Sequence, residues 1–215
     1  MKEIAVFGLG TLGKSLAISY SNMGGKVIAI DKLQEKVDEI SDYVTFAIRA
    51  DLTEENVIKG LGVSNVDVAI VTIGENFEAS IIVTAVCKEI GIPYIIAKAS
   101  DTLQGNILTK VGADEIVYPE SETGIRMAKN LAHGEKFIDI AEISDTFSII
   151  EAKVPESWVG KNLMELNLRK KYKFNIIAIK KEGKYKINPD VNIPFKHGMH
   201  LVVLGETEKM AKVFK

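Results

Sequence analysis

The sequence predicts an α/β fold, in which a Rossmann-like, doubly wound parallel sheet is followed by a small α+β C-terminal domain. Through the first 120 residues, short apolar runs alternate with segments of helical period, and the stretch AVFGLGTLGKS joins the first run to the first helix. From residue 137 onward, strand-like runs follow one another and only two short helical segments remain. We therefore predict a nucleotide-binding domain over residues 1–134, including a final crossover helix, and a second domain over residues 135–215.

Each strand of the first domain is predicted from a run in which nearly every residue is apolar, as in strands buried on both faces. The helical segments between these runs make right-handed βαβ units. The strands are predicted at residues 3–8, 26–31, 45–49, 66–72, 94–98 and 115–118, and the helices at 11–23, 33–41, 53–59, 76–90, 102–111 and 121–133, the last with Ser121 as its N-cap.

The second domain is predicted as a mainly antiparallel module. Its strand-like runs are FIDIAEI, FSIIEAKV, FNIIAIKK, KYKI and HLVVLG, with short helices near residues 161–166 and 206–214. The segment Lys181–Lys184 contains Glu-Gly between two strand-like runs, which predicts a hairpin.

Composition and charge exclude several classes of protein. A net charge of -2 argues against nucleic-acid binding. Cys87 is the only cysteine, which rules out an intramolecular disulfide and favours a reducing compartment. No apolar run reaches the roughly 18 residues of a membrane helix, and the first residues lack a leader pattern. We expect a cytoplasmic protein without direct membrane insertion.

The glycine loop has the spacing G-x-G-x-x-G that is typical of dinucleotide sites. Gly8 permits the tight turn, Gly10 lets a phosphate approach the main chain, and Gly13 lets the helix pack close to the sheet. Thr11 and Leu12 begin that helix, whose free N–H groups and positive dipole end face the phosphates. These five residues are the first predicted part of the site.

An acidic residue follows at the expected place. Asp31 ends the second strand, 18 residues after Gly13, where its carboxylate can accept hydrogen bonds from ribose hydroxyls. The negative charge disfavours the 2′-phosphate of NADP, although the neighbouring Lys32 softens that exclusion. ATP, ADP, AMP and NAD(H) all remain open because each carries a free adenosine ribose.

Further candidates follow the later strands, because ligands bind outside the carboxyl ends of such a sheet. Asp51 either accepts from an adenine amino group or caps the helix predicted to begin at Thr53. Lys98 either pairs with a phosphate or is a surface cation near Asp101, and Gly74 allows the main chain to approach the ligand. The remaining candidates are Leu52, Thr72, Ile73 and Asn76, the last also a helix cap.

The sequence shows no candidate catalytic group beside this predicted site. A dehydrogenase needs a proton-transfer group near the nicotinamide, yet His133, His197 and His200 all lie away from the predicted strand ends, and Cys87 lies mid-helix. No Cys/His cluster has metal spacing. We therefore expect a ligand sensor and not an enzyme; the alternative is a small NAD(P)-dependent oxidoreductase. A DNA-binding regulator is disfavoured because the only basic cluster, Arg169–Lys173, is short.

Two sets of stretches carry a family resemblance. They are GLGTLGKS, Asp31, RADLT, VAIVTIGENFEASI, AKASD and GADEIVYPE in the first domain, and WVGKNL, NIIAI and LVVLG within residues 154–205. Together they resemble the RCK family, the TrkA-N/TrkA-C proteins that regulate potassium channels and the Trk and Ktr transporters. The resemblance implies a homodimer that assembles into an octameric ring beneath a potassium-translocating membrane subunit of the KtrB or TrkH type. It also implies gating by nucleotide-dependent changes of that ring.

The chain departs from the family pattern at Thr11, where many relatives carry an arginine that meets the terminal phosphates across the dimer. Thr11 brings no charge, which puts strong preference for ATP over ADP in doubt. Glu120 matches a position where a carboxylate helps to hold a divalent or monovalent cation beside the phosphates.

The resemblance also implies a second ligand, because some relatives bind cyclic di-AMP in the C-terminal domain. Arg169 or Lys170 would meet its phosphates, and Phe174, Ile176, Ile177 and Pro194 would line an adenine pocket. The alternative is a solvated basic helix followed by a core strand.

Overall fold

A computed structural model describes residues 1–133, 137–144 and 146–214. The chain divides into two compact units, Met1–Glu122 and Thr123–Lys215. The predicted domain boundary at Gly134 falls on a residue outside the described ranges.

The first unit contains a six-stranded sheet in the order β3-β2-β1-β4-β5-β6, with every pair parallel. This order reverses beside β1, which confirms the doubly wound fold. Its strands are β1 (Glu3–Phe7), β2 (Lys26–Asp31), β3 (Phe46–Arg49), β4 (Val68–Val71), β5 (Tyr94–Lys98) and β6 (Glu115–Val117). Its helices are α1 (Thr11–Asn22), α2 (Gln34–Asp38), α3 (Glu55–Lys59), α4 (Phe77–Glu89), α5 (Thr102–Val111) and α6 (Pro119–His133), the last continuing into the second unit.

Both faces of this sheet are covered, as its apolar strands predict. Ala5 and Phe7 of β1 belong to one buried cluster, whereas Ile4 and Val6 belong to another. Successive side chains of a strand point to opposite faces, so the two clusters are the two layers between sheet and helices. The site at the strand ends is therefore held on a rigid, fully packed sheet.

Three helix starts or lengths differ from prediction. Helix α3 begins at Glu55 and not at Thr53, because Asp51 accepts hydrogen bonds from the N–H and hydroxyl of Thr53 and so holds that residue in a turn. Helix α6 begins at Pro119, so Ser121 lies inside it and the predicted N-cap is wrong; proline suits a first helical position, where no N–H is needed. Helix α2 ends at Asp38, and a 3₁₀ turn follows at Ser41–Tyr43.

The second unit contains an antiparallel sheet in the order β10-β9-β11-β8-β7. The predicted hairpin is confirmed: Lys181 pairs with Lys184, and Glu182 and Gly183 have φ angles of 50° and 78°, as a type I′ turn requires. The strands are β7 (Phe137–Glu142), β8 (Phe147–Lys153), β9 (Asn175–Lys181), β10 (Lys184–Ile187) and β11 (His200–Glu206). The helices are α7 (Leu163–Leu166), α8 (Leu168–Tyr172) and α9 (Thr207–Val213), with a 3₁₀ turn at Glu156–Trp158.

An aromatic cluster forms the core of the second unit. The ring of Phe214 lies 5.4 Å from that of Trp158 and 6.0 Å from that of Phe174, while Trp158 and Phe195 are 6.5 Å apart. Phe174 is 1% exposed. Such rings bury large apolar areas and pack in tilted or stacked pairs, so we expect this cluster to stabilise the unit strongly.

Replacing Phe174 by alanine is therefore expected to destabilise the second unit by about 3–5 kcal/mol, because it removes a fully buried ring from this cluster. Trp158, the only tryptophan of the chain, reports the unfolding of this unit through its fluorescence in a urea titration. Met164→Ala, at a side chain that is 64% exposed, is the control and should change the free energy of unfolding by about 0.5 kcal/mol or less. Equal effects of the two substitutions would contradict the assignment of this core.

Candidate functional site

The glycine loop connects β1 to α1 through a turn that only glycine adopts without strain. Gly8 has a φ angle of +95°, and its N–H donates to the carbonyl oxygen of Ile30 at 2.8 Å. A Cβ atom there would lie 3.1 Å from the main-chain nitrogen of Ile73. The positive φ angle and the closeness of the Ile73 main chain together explain why this position is a glycine.

Gly13 brings helix α1 against the loop and β4. A Cβ atom at Gly13 would lie 2.0 Å from the carbonyl oxygen of Gly8 and 2.5 Å from Oγ1 of Thr72. Neither atom belongs to a flexible chain end, so no side chain fits. The predicted role of Gly13 in close helix–sheet packing is therefore seen directly in the geometry.

Gly10 stands at the N-cap of α1 and leaves its surroundings open. No described atom lies within 4 Å of the position that a Cβ atom would occupy there, and no side chain caps the helix. The first N–H groups of a helix have no intrahelical partner, so those of Thr11, Leu12 and Gly13 are available to an anion. Thr11 is exposed and Leu12 is half-buried.

Asp31 is hydrogen-bonded to the glycine loop. Its side chain is buried, Oδ2 accepts from the N–H of Leu9 at 2.7 Å, and Oδ1 accepts from the N–H of Leu33 at 3.0 Å. The ammonium of Lys36 lies 3.9 Å from Oδ2. Each carboxylate oxygen can accept a second hydrogen bond, so Asp31 retains capacity for ribose hydroxyls.

The end of β3 contributes charges that the sequence reasoning only partly found. The Thr53 hydroxyl and N–H lower the pKa of the Asp51 carboxyl, and the Lys32 charge acts in the same direction. Arg49, which was not predicted as a site residue, donates from Nε to the carbonyl oxygen of Lys32 at 3.3 Å. The side chain of Leu52 packs into the core.

The end of β4 holds the loop through Thr72. Its Oγ1 donates to the carbonyl oxygen of Gly8 at 2.6 Å, and the residue is 5% exposed. Ile73 packs against the core, and Gly74 follows it. Asn76 caps α4 by accepting from the N–H of Ala79 at 3.1 Å, which confirms that part of its prediction.

Lys98 reaches across the carboxyl ends of the strands. A Cβ atom on Gly74 would lie 3.5 Å from Nζ of Lys98, so the ammonium sits over that glycine. Nζ contacts Oε1 of Glu120 at 2.5 Å, and the Lys98 ammonium, followed by the main-chain N–H of Glu120, lowers the pKa of the Glu120 carboxyl. The acidic partner of Lys98 is Glu120, whereas Asp101 caps α5.

Glu120 as a metal ligand stays a prediction. Within residues 1–133, 137–144 and 146–214, no group of three or more His, Cys, Asp or Glu side chains converges to hold a metal ion. The Lys98 ammonium contacts Oε1 of Glu120, so a cation at this carboxylate would bind through Oε2 or would replace Lys98.

Cys87 lies within α4, and His197 and His200 belong to the second unit. Burial raises the pKa of the Cys87 thiol to about 12, which makes it inert at neutral pH. His197 is exposed and its Nδ1 lies 3.2 Å from Glu156, and His200 begins β11 in the second unit.

Two of the predicted second-ligand residues have defined partners in the structure. Phe174 is enclosed in the aromatic core, so its prediction as a pocket wall is wrong. Arg169 is exposed, and its Nε donates to Oδ1 of Asn175 at 2.6 Å. The basic helix followed by a core strand, the alternative interpretation, agrees with helix α8 and strand β9. The expectation of cyclic di-AMP binding stays a prediction.

The fold and the loop define a class of protein: a Rossmann domain with a glycine-rich anion-binding loop, joined to a small antiparallel domain. Residues 4–119 match the TrkA-N domain family and residues 149–215 match the TrkA-C domain family. The chain belongs to the TrkA-N/TrkA-C family, which confirms the resemblance recognised in the sequence.

Two curated relatives match over nearly their whole length. The chain is 35% identical over 211 residues to the Ktr system potassium uptake protein A of Bacillus subtilis, covering 98% of this chain and 95% of the relative. It is 36% identical to the Ktr system potassium uptake protein C of the same organism, covering 100% of this chain and 96% of the relative.

Solved structures support the fold. The GsuK RCK domain has a TM-score of 0.62 at 17% identity, covering 99% of this chain and 47% of the other. The GsuK channel bound to NAD has a TM-score of 0.58 at 24% identity, covering 100% of this chain and 38% of the other. The chain thus spans less than half the length of these structures. No helix within its described residues combines the length and apolar character needed to cross a membrane.

The two loop glycines with different surroundings give a stability test. Gly13→Ala is expected to lower the free energy of unfolding by about 3 kcal/mol or more, because its Cβ would meet a carbonyl oxygen at 2.0 Å. Gly10→Ala enters open space and should cost less than about 1 kcal/mol, the difference between glycine and alanine at an N-cap. Thermal unfolding of both variants measures this, and a stable Gly13→Ala protein would refute the close packing of α1.

Proposed function

We propose that this chain is a nucleotide-binding regulatory subunit of a membrane potassium transporter or channel. The observation that carries the proposal is the similarity to Ktr potassium uptake proteins at 35–36% identity over nearly the whole chain. The glycine loop supports it independently, because an anion-binding helix start stands beside strand-end residues suited to a nucleotide.

The ligand of this proposal is an adenine nucleotide. Its phosphates lie over Gly10 and the N–H groups at the start of α1, and its ribose hydroxyls meet the free lone pairs of Asp31. Lys98, whose ammonium sits over Gly74, is the cation within reach of the phosphates. Asp51 is held in its turn by Thr53 with its carboxylate ionised, as an acceptor for an adenine amino group should be.

The nucleotide need not be ATP. Thr11, at the start of α1, offers one hydroxyl and no charge, so it gives little means to prefer a third phosphate. ATP, ADP, AMP and NAD(H) all present the same adenosine and first phosphate. A cation at Glu120 would supply positive charge beside the phosphates once Lys98 has turned from Glu120 to a phosphate oxygen.

The proposed mechanism is a shift between two ring geometries. A ligand moves such an equilibrium only by its different affinities for the two states. We propose a homodimer that assembles into an octameric ring at the inner face of the membrane, against a potassium-translocating subunit. Exposed apolar side chains on α6 support contact between copies: Ile125, Met127 and Leu131 are 55%, 58% and 81% exposed.

The competing function is a small NAD(P)-dependent oxidoreductase. Among the described residues of the first unit, those around the glycine loop supply hydrogen bonds and charge and none is a histidine, and two curated relatives are named as Ktr system potassium uptake proteins. Incubation with NADH and a panel of small carbonyl substrates discriminates between the two functions. A sustained rate of NADH oxidation would favour the oxidoreductase.

Nucleotide binding is tested by calorimetric titration of the purified chain with ADP, ATP, AMP and NADH. We expect binding of ADP, and affinities for ATP and ADP within about tenfold, a difference of about 1.4 kcal/mol. Gly10→Ala should abolish the binding, because its methyl group occupies the space through which the phosphate approaches. A wild-type protein that binds none of the four nucleotides would refute the proposal.

Regulation is tested by potassium uptake in a bacterium that lacks its own uptake systems and expresses the membrane subunit of a Ktr system. Expression of the wild-type chain is expected to change the uptake rate several-fold. Gly10→Ala is expected to fold without binding nucleotide, so the uptake rate with this variant should not change with the nucleotide state of the cell. The exposed substitution Met164→Ala is the matched control. Equal uptake with and without the wild-type chain would contradict a regulatory role on that transporter.

A further inference from the structure

Thr72 is bonded to the glycine loop by both its main chain and its side chain. Its N–H donates to the carbonyl oxygen of Phe7 at 2.8 Å, and its hydroxyl donates to the carbonyl oxygen of Gly8 at 2.6 Å. The residue is 5% exposed, so water does not compete for this bond. The hydroxyl of Thr72, which directly follows β4, thus holds the Gly8 carbonyl, where the chain leaves β1.

Helix α1 approaches the same carbonyl oxygen at Gly13. The Cβ position of Gly13 lies 2.0 Å from it and 2.5 Å from the Thr72 hydroxyl, so loop, strand and helix meet there. The next N–H along the chain, that of Leu9, is held by Asp31 at 2.7 Å. The Gly8–Leu9 peptide is therefore fixed on both sides, with its oxygen directed into the fold.

We infer that Thr72 is a positioning residue for nucleotide binding, and not a ligand contact. Its hydroxyl keeps the Gly8 carbonyl inside the fold and so leaves the N–H groups of Gly10–Gly13 facing the ligand before the ligand arrives. A loop already in its bound form does not lose conformational freedom on binding, which raises affinity. This inference rests on the proposed function, since it concerns the same site.

The chain offers a matched control in Thr84. This residue is fully buried, and its hydroxyl donates to the carbonyl oxygen of Ser80 at 2.7 Å within α4. Thr84→Val therefore removes the same kind of bond as Thr72→Val, from a buried threonine to a main-chain carbonyl, without touching the glycine loop.

The experiment is calorimetric titration of the full chain with ADP. Thr72→Val is expected to weaken ADP binding about tenfold, or about 1.4 kcal/mol. Thr72→Ser, which keeps the hydroxyl, should restore the affinity to within about twofold, and Thr84→Val should bind ADP as the wild type does. In the ligand-free protein, hydrogen exchange of the Leu9 amide, which is bonded to Asp31, should be faster in Thr72→Val than in Thr84→Val.

The inference is overturned if Thr72→Val binds ADP as tightly as the wild type, if Thr84→Val weakens binding equally, or if Thr72→Ser fails to restore it. A wild-type protein that binds no adenine nucleotide instead overturns the proposed function, and the inference with it. If Thr72→Val does not fold, Thr72→Ala and Thr84→Ala make the same comparison, because alanine removes the hydroxyl without placing a methyl group against the Gly8 carbonyl.

Discussion

The site depends on one buried contact, where the carbonyl of Gly8, the hydroxyl of Thr72 and the backbone of Gly13 meet. It joins the end of β1, the end of β4 and the first turn of α1. Because the sheet beneath is packed on both faces, these elements have little freedom to move apart. The free N–H groups at the start of α1 are thus held in place by a rigid sheet, and the packing of the core stabilises this arrangement.

The groups that the described residues bring to this site are suited to recognising a nucleotide. The loop supplies N–H groups, Asp31 supplies acceptors, and the Lys98–Glu120 pair supplies charges that a phosphate or a cation can separate. The second unit has a separate aromatic core around Trp158. A ligand that binds two arrangements of the assembly with different affinities can act as a signal without being consumed. This is the role proposed for this member of a family of potassium transport regulators.

Periodicity predicted nearly all of the fold, because strands buried on both faces leave continuous apolar runs and the glycine spacing marks the first turn. It failed where a side chain overrides the pattern, as Asp51 does by holding Thr53 in a turn, or where Pro119 begins a helix earlier than Ser121. The candidate site residues were predicted from the rule that ligands bind at strand ends, which gives the position of a residue but not its hydrogen-bond partners. It could not show that Thr72 and Asp31 bond to the loop, that Lys98 meets Glu120, or that Phe174 faces the core, because these depend on contacts between distant segments.

The most direct test of the account is a crystal structure of the chain with ADP. We expect the phosphates over Gly10 and the first N–H groups of α1, the ribose at Asp31, and the bond from Thr72 to the Gly8 carbonyl retained at about the 2.6 Å of the free protein. ADP bound away from the glycine loop, or bound there only after the Gly8 carbonyl has turned away from Thr72, would contradict a site that is formed before its ligand arrives.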